Sequence, residues 1–336
     1  MAETTTTPPL ARDELLPPKT GERRHLISIG DLDREDVERL LTLAGAFAST
    51  LERDVKKLPI LRGRTIVNMF YESSTRTSSS FELAAKRLSA DVMSIKASGS
   101  SVDKGESLKD TALTIGCYDP DVIILRHPEI GAPELVARFT DAHIVNAGDG
   151  KHQHPTQALL DLYTIQEELD RIEGLHIAIV GDVLHSRVAR SDIQAFLLMG
   201  AKVTLVGPPP LIPRGIEAMG CEVSYDIDAI KDADVVYILR MQRERMLEGA
   251  NYVPSLREYT ARWGVTADRV RPGQKIMHPG PMNRGVEIDG DVADAADALI
   301  ERQVRSGLAV RMAVLYDLLT AGPVGVKVAE IAEVAP

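Results

Sequence analysis

Cysteine is nearly missing from this chain, since Cys117 and Cys221 are the only two in 336 residues. Two thiols cannot build a disulfide framework, so a packed core must hold the fold, and reduced thiols in a cytoplasmic setting are expected. Long apolar runs are missing too. No segment reads as a membrane span, and the first residues lack the charged-then-apolar pattern of a signal peptide. Nor is there an excess of positive charge: 39 Lys and Arg face 49 Asp and Glu, a net charge of −10. That balance disfavours nucleic acid or an anionic membrane as the main partner. The eight histidines show no ligand spacing with cysteine or acids, so neither a metal nor an organic cofactor is indicated. An acidic chain that handles anions has to concentrate arginine locally, which makes the positions of its arginines informative.

What is present is enough apolar material, 44% of residues, for more than one core. At this length two domains are the natural division. Residues 1–24 are rich in Thr and Pro and read as a disordered extension. Order is expected from about His25, with Asp33 capping a helix whose buried face holds Val37, Leu40, Leu41, Ala44 and Phe47. Strands are then expected at 65–71, 91–95, 121–125 and 143–146, separated by helices near 78–88, 107–118 and 132–139. A long helix from Pro155 to about 169 leads to further strands at 175–180, 202–206, 222–225, 234–239 and 275–278. An amphipathic helix near 303–320 ends the pattern. The alternation predicts an α/β protein with two units, each a largely parallel sheet flanked by helices. Ligands of such sheets bind beyond the strands' carboxyl ends.

The most informative run is Phe70-Tyr71-Glu72-Ser73-Ser74-Thr75-Arg76-Thr77. It links an apolar strand to a helix with Phe81, Ala84, Ala85 and Leu88 on one face. A helix start carrying hydroxyls, unpaired backbone N–H groups and a guanidinium has the parts of a phosphate site. An ordinary N-cap would use the same Ser and Thr residues, so the run needs company. It has it at later strand ends: Arg126-His127-Pro128, Gly148-Asp149-Gly150 with Gln153-His154-Pro155-Thr156-Gln157, Ser186-Arg187, Arg240-Met241-Gln242 and His278-Pro279-Gly280-Pro281. Arg or His recurring at successive strand ends is hard to obtain from packing alone.

These motifs, with Lys104-Gly105-Glu106, resemble those of the aspartate/ornithine carbamoyltransferase family over about residues 25–320, and the aspartate branch most closely. The resemblance implies transfer of the carbamoyl group of carbamoyl phosphate to the α-amine of L-aspartate, a first committed step of de novo pyrimidine synthesis. It also implies a C-terminal helix that returns to the first domain. The carbamoyl phosphate domain would then comprise 25–165 and 303–320, the aspartate domain 166–302, and three chains would form a ring.

The roles the resemblance implies can be checked against chemistry. Ser74, Thr75, Arg76 and Thr77 would hold the phosphate beside Arg126. Thr77, Arg126 and His154 would donate to the carbonyl oxygen as it gains charge, neutral His154 sufficing. The Gln157 side-chain oxygen would bind the carbamoyl NH2, and main-chain groups near Gly280 and Pro281 would also face the carbamoyl group. Arg187 and Arg240, the latter supported by Gln242, would bind the aspartate carboxylates, a task that suits a planar guanidinium. Ser100 (or Ser101) and Lys104, on a Gly- and Ser-rich loop, would reach a neighbouring subunit's site; a mobile surface loop with a solvated lysine is the plain alternative.

An ornithine enzyme would need an acidic pocket and other motifs where Leu239-Arg240-Met241-Gln242 and His278-Pro279-Gly280-Pro281 stand. A catalytically idle assembly subunit would not need every matched position to keep a competent residue. A dehydrogenase would need the second and third glycines that Gly181-Asp182-Val183-Leu184-His185-Ser186-Arg187 lacks. Gly280 stands where some members carry leucine, and the following Met282–Ile288 stretch leaves a regulatory chain, a dihydroorotase partner or a free trimer open.

Overall fold

The computed structural model describes residues 25–96, 105–242 and 252–320. The expected N-terminal extension, and the loop with Ser100, Ser101 and Lys104, lie outside these residues.

The first α-helix, α1 (Arg34–Leu51), is capped by Asp33, whose carboxylate accepts the N–H of Asp36 at 2.8 Å. All five residues expected on its inner face are buried. Strand β1 (Thr65–Phe70) leads to α2 (Thr75–Arg87) and then β2 (Asp91–Lys96). After α3 (Leu108–Gly116) come β3 (Val122–His127), α4 (Ala132–Ala137) and β4 (His143–Asp149). These strands pair in the order β2-β1-β3-β4, every pair parallel.

Helix α5 (Pro155–Leu169) leads to the second sheet. It comprises β5 (His176–Val180), β6 (Lys202–Val206), β7 (Glu222–Ser224), β8 (Val235–Ile238) and β9 (Lys275–Met277). Their order is β7-β6-β5-β8-β9, again parallel throughout. Helix α6 (Arg187–Leu198) follows β5, α7 (Leu256–Trp263) and the short α8 (Gly290–Ala293) flank β9 in sequence, and α9 (Ile300–Thr320) closes the described chain. The near-continuous apolar runs of β1 and β5 are buried, as strands covered on both faces require.

Helix α9 packs against α1, α2 and α5. The C-terminal helix therefore does return to the first unit. It also starts earlier than its apolar periodicity indicates, because polar Gln303 is buried rather than exposed. Helix α5 is buried at every position from Pro155 to Ile165, since it touches α1, α6, α9 and β4. Other boundaries shift modestly. Arg126 and His127 are the last residues of β3 and do not follow it, because Arg126 still pairs with Phe70 and His127 with Asp149. Helix α2 starts at Thr75, which places the whole Thr75-Arg76-Thr77 run in its first turn.

Strand order decides where the two sheets are open. Chain direction across the first sheet reverses between β1 and β3, and across the second between β5 and β8. Crevices at such reversals are the ligand sites of parallel sheets. Among the described residues no helix is long and apolar enough to cross a membrane.

Candidate active site

A cleft of about 1190 Å³ opens where the two crevices meet. Arg76, Arg126, Arg187, Arg240, Arg305 and Arg311 line it, and among the described residues Glu72 is the only carboxylate that does. In a chain of net charge −10, that concentration of guanidinium makes the cleft an anion site.

The first sheet supplies one half of it, built on the start of α2. Ser74 is the N-cap of α2, yet its side chain makes no capping hydrogen bond. The first-turn N–H groups of Thr75, Arg76 and Thr77 have no intrahelical acceptor and sit at the positive end of the helix dipole. Thr77 is buried, whereas Arg76 is exposed to the cleft. Partial burial and then the charge of Arg240 push the Arg76 guanidinium below its ordinary value, so these two cations face a shared space. Arg126 extends from the end of β3, donating from Nη1 to the Ala147 carbonyl at 3.3 Å and from Nε to Glu72 at 3.2 Å.

The second sheet supplies arginines at its own reversal. Arg187 is the first residue of α6, after Ser186, whose hydroxyl accepts the N–H of Ala189 at 3.1 Å. Its Nη2 donates to both Glu72 oxygens at 3.0 and 2.7 Å, which joins the two units across the cleft. Only 2% of Arg187 is exposed, and its Nε and Nη1 have no hydrogen-bond partner among the described residues. Buried donors of that kind call for an acceptor. Arg240, just past β8, donates from Nη2 to Gln242 Oε1 at 3.0 Å. The buried Asp182 carboxylate ties the turn before Arg187 to this segment, accepting from His185 Nδ1 at 2.8 Å and from the Gln242 N–H at 3.0 Å.

Between the halves stands α5. Its N-cap residue His154 and Gln157 reach the cleft from one helix face. The loop before it is braced by buried Asp149, whose oxygens accept from Asn146 Nδ2 at 2.8 Å, the Gln153 N–H at 3.0 Å and the Gly131 N–H at 3.0 Å. The His154 N–H donates to Ser191 on α6 at 2.8 Å, which fixes the histidine between the sheets. Opposite, the Gly280–Pro281 peptide is cis, and the Gly280 N–H donates to His278 Nδ1 at 2.8 Å. With Nδ1 accepting, the ring proton of His278 lies on Nε2, which donates to Glu287 at 3.3 Å.

All the described site residues expected from sequence thus reach one cleft: Ser74, Thr75, Arg76, Thr77, Arg126, His154, Gln157, Arg187, Arg240, Gln242, Gly280 and Pro281. Ser100 and Lys104 lie outside the described residues. Sequence reasoning missed Glu72, which bridges Arg126 and Arg187, Asp161, which accepts from Gln157, and Gln303, which joins Asp161 to His278. Asp161 left a faint signal, being one turn beyond Gln157. Gln303 left none, since a polar residue at the head of an amphipathic helix reads as solvated.

Comparison with known proteins accords with this geometry. Residues 24–167 match a protein-family model described as aspartate/ornithine carbamoyltransferase, carbamoyl-P binding domain, and residues 173–318 match its Asp/Orn binding domain. The aspartate carbamoyltransferase catalytic subunit of Salinispora arenicola is 57% identical over 303 residues, covering 88% of this chain and 98% of that one. The corresponding subunit of Pelotomaculum thermopropionicum is 54% identical, covering 89% and 97%. Among solved structures, aspartate transcarbamoylase from Trypanosoma cruzi in complex with N-(phosphonacetyl)-L-aspartic acid aligns with TM-score 0.80 at 32% identity, covering 91% of this chain and 99% of that one. The catalytic subunit of the M. jannaschii enzyme aligns with TM-score 0.77 at 38% identity, covering 88% and 97%.

Proposed function

The chain belongs to the aspartate/ornithine carbamoyltransferase family, and from that premise we propose that it acts as an aspartate carbamoyltransferase catalytic subunit. It moves the carbamoyl group of carbamoyl phosphate to the α-amine of L-aspartate. The amine nitrogen bonds to the carbamoyl carbon, the carbon–oxygen bond to phosphate breaks, and phosphate leaves with that electron pair while the amine gives up a proton. The observation that carries this reading is the junction of a helix-start anion site with Arg187 and Arg240 in one cleft. One side suits a phosphate and the other suits the carboxylates of an amino acid.

A shared cleft and the family resemblance support the following roles. Ser74, Thr75, Arg76, Thr77 and Arg126 hold the phosphate. Thr77, Arg126 and His154 donate to the carbonyl oxygen in the transition state, where single donors of this kind are typically worth about 2.7–4 kcal/mol. Gln157 and the main chain at Gly280–Pro281 face the carbamoyl NH2. Arg187 and Arg240, with Gln242 steadying Arg240, hold the aspartate carboxylates. Carbamoyl phosphate binding belongs to 25–165 with 303–320 and aspartate binding to 166–302. The descriptions of the two matched family domains, carbamoyl-P binding and Asp/Orn binding, support this division of labour.

Ornithine is a poor fit to six arginines and one carboxylate. We place the active form in the cytoplasm as a homotrimer, with Ser100 and Lys104 of one subunit completing the next subunit's site; the family resemblance supports this. A regulatory chain or a dihydroorotase would be an addition to that trimer. Phosphate release from carbamoyl phosphate with L-aspartate, against L-ornithine, tests the reading. Release with ornithine but not aspartate would overturn it.

A further inference from the structure

The carboxyl of Asp161 is fully buried on α5 and touches no substrate group in the roles above. Side chains from several elements converge on it. Gln157 Nε2, one turn earlier, donates to both oxygens at 3.2 Å. Gln303 Nε2 from α9 donates to Oδ1 at 2.6 Å, and the Tyr237 hydroxyl from β8 donates to Oδ2 at 2.8 Å. The chain of hydrogen bonds continues outward, for Gln303 Oε1 accepts the His278 N–H at 2.9 Å, and His278 Nδ1 accepts the Gly280 N–H. One carboxylate thus stands behind both walls that face the carbamoyl NH2.

We propose that Asp161 is a positioning residue that selects a carbamoyl group over other acyl groups, by holding Gln157 with its oxygen toward the cleft and anchoring the His278–Gly280 segment through Gln303. The inference rests on the reading that Gln157 and the Gly280–Pro281 main chain face the carbamoyl NH2. Its physical basis is that an ionised carboxylate only accepts hydrogen bonds. Both glutamines must turn their NH2 groups toward it, so each carbonyl oxygen points away. For Gln303 that oxygen is seen on the His278 N–H; for Gln157 it is left for the cleft. The Gln157 oxygen and the Gly280–Pro281 main chain then meet an NH2 and find no partner on a methyl group, and a site built to pair with a donor rejects an analogue lacking it.

Charge in the pocket agrees with the geometry. Asp192 on α6 is also fully buried, and burial followed by the neighbouring Asp161 pushes its carboxyl well above the usual range. Three donor groups converge on Asp161 and none on Asp192 among the described residues, which favours the charge on Asp161 when the two neighbouring carboxyls cannot both ionise. Burial, partly offset by Gln303, Tyr237 and Gln157, raises Asp161 to about 7. The other groups facing it are the Tyr237 hydroxyl and, by its field, the buried Arg311 cation. A proton on Asp161 would turn an acceptor into a donor and release Gln157.

The test compares binding of carbamoyl phosphate, acetyl phosphate and inorganic phosphate, by calorimetry on the full chain. Asp161→Asn keeps the shape but only one acceptor oxygen, so one of the two walls must reorient. The preference for carbamoyl over acetyl phosphate should fall about tenfold or more, with inorganic phosphate affinity within about twofold. Gln303→Met, which breaks the bridge from Asp161 to His278 but leaves Gln157 bound to Asp161, should lose part of the preference. Wild-type preference should fall as pH drops below about 7, and the Asp161→Asn profile should be flat there. Parallel losses for all three ligands, or an unchanged preference in both variants, would overturn the inference. Gln157→Ala separates the two layers. If it loses the preference while Asp161→Asn and Gln303→Met retain it, only the positioning role falls; if it too retains the preference, the reading of Gln157 falls.

Discussion

The Arg187 guanidinium fills the space that a side chain at position 148 would need. A Cβ built on Gly148 would lie 2.5 Å from Arg187 Nη1 and 3.1 Å from its Cδ, and the Gly148 φ of +121° is itself foreign to L side chains. Gly280 and Gly307 stand in the same relation to Arg76 and Arg311, with Cβ approaches of 3.0 and 2.5 Å. Glycine seats arginine at three points of the cleft, because backbone without a side chain is what lets a large cation lie flat against it.

Gly148→Ala should therefore displace Arg187 as well as strain β4. The expected cost is about 1–3 kcal/mol of stability, with a rise in the KM for aspartate larger than that for carbamoyl phosphate. Thermal melts and steady-state kinetics measure both. Combined with Arg187→Ala the stability cost should be less than additive, because the clash is gone. Strict additivity would show that the two residues do not compete for space.

Arg76→Ala should lower turnover by at least about 10²-fold while leaving the melting temperature nearly unchanged. Arg76 is exposed at the start of α2 and supports no core. An unchanged rate at saturating carbamoyl phosphate would remove it from the phosphate site, and a collapsed melt would make it structural.

For Arg240→Ala the loss should fall on the amino acid. Removing one partner of a desolvated charge pair typically costs on the order of 2–5 kcal/mol, so the aspartate requirement should rise far more than that for carbamoyl phosphate. Equal losses for the two substrates would assign Arg240 to the fold.

Mixed oligomers test the shared site. Lys104→Ala and Arg76→Ala chains should each be inactive alone. Exchanged subunits should regain a fraction of wild-type activity wherever the intact Lys104 of one chain meets the intact Arg76 of the other. No recovery in proven mixed trimers would place Lys104 in its own chain's site or outside catalysis.

The raised Asp161 carboxyl has a signature in stability as well. With a folded value near 7 against an ordinary 3.8, the folded chain binds more protons than the unfolded one between those limits. Stability from this group therefore falls as pH rises from about 4 to 7. Asp161→Asn removes that dependence, so its melting temperature should decline less across the interval than that of the wild type. A parallel decline in both proteins would count against the titration.

Local signals in the sequence were sufficient for the alternation of strands and helices and for most of the site. The α1 face, the Pro155 helix start and the motif at each strand end depend on residues within a turn or two of one another, where periodicity and capping chemistry act. The family resemblance then proposed a role for each residue. Tertiary structure decided what depends on strand order. Nothing near Arg126 or Arg187 in the chain says that β1 lies beside β3, or β5 beside β8, yet those neighbours open the two crevices and bring Glu72 between both arginines. It also decided that Gln303, 142 residues from Asp161, completes a buried network behind Gln157. Such contacts are set by how layers pack, and a polar residue carries no local mark of the partner that will bury it.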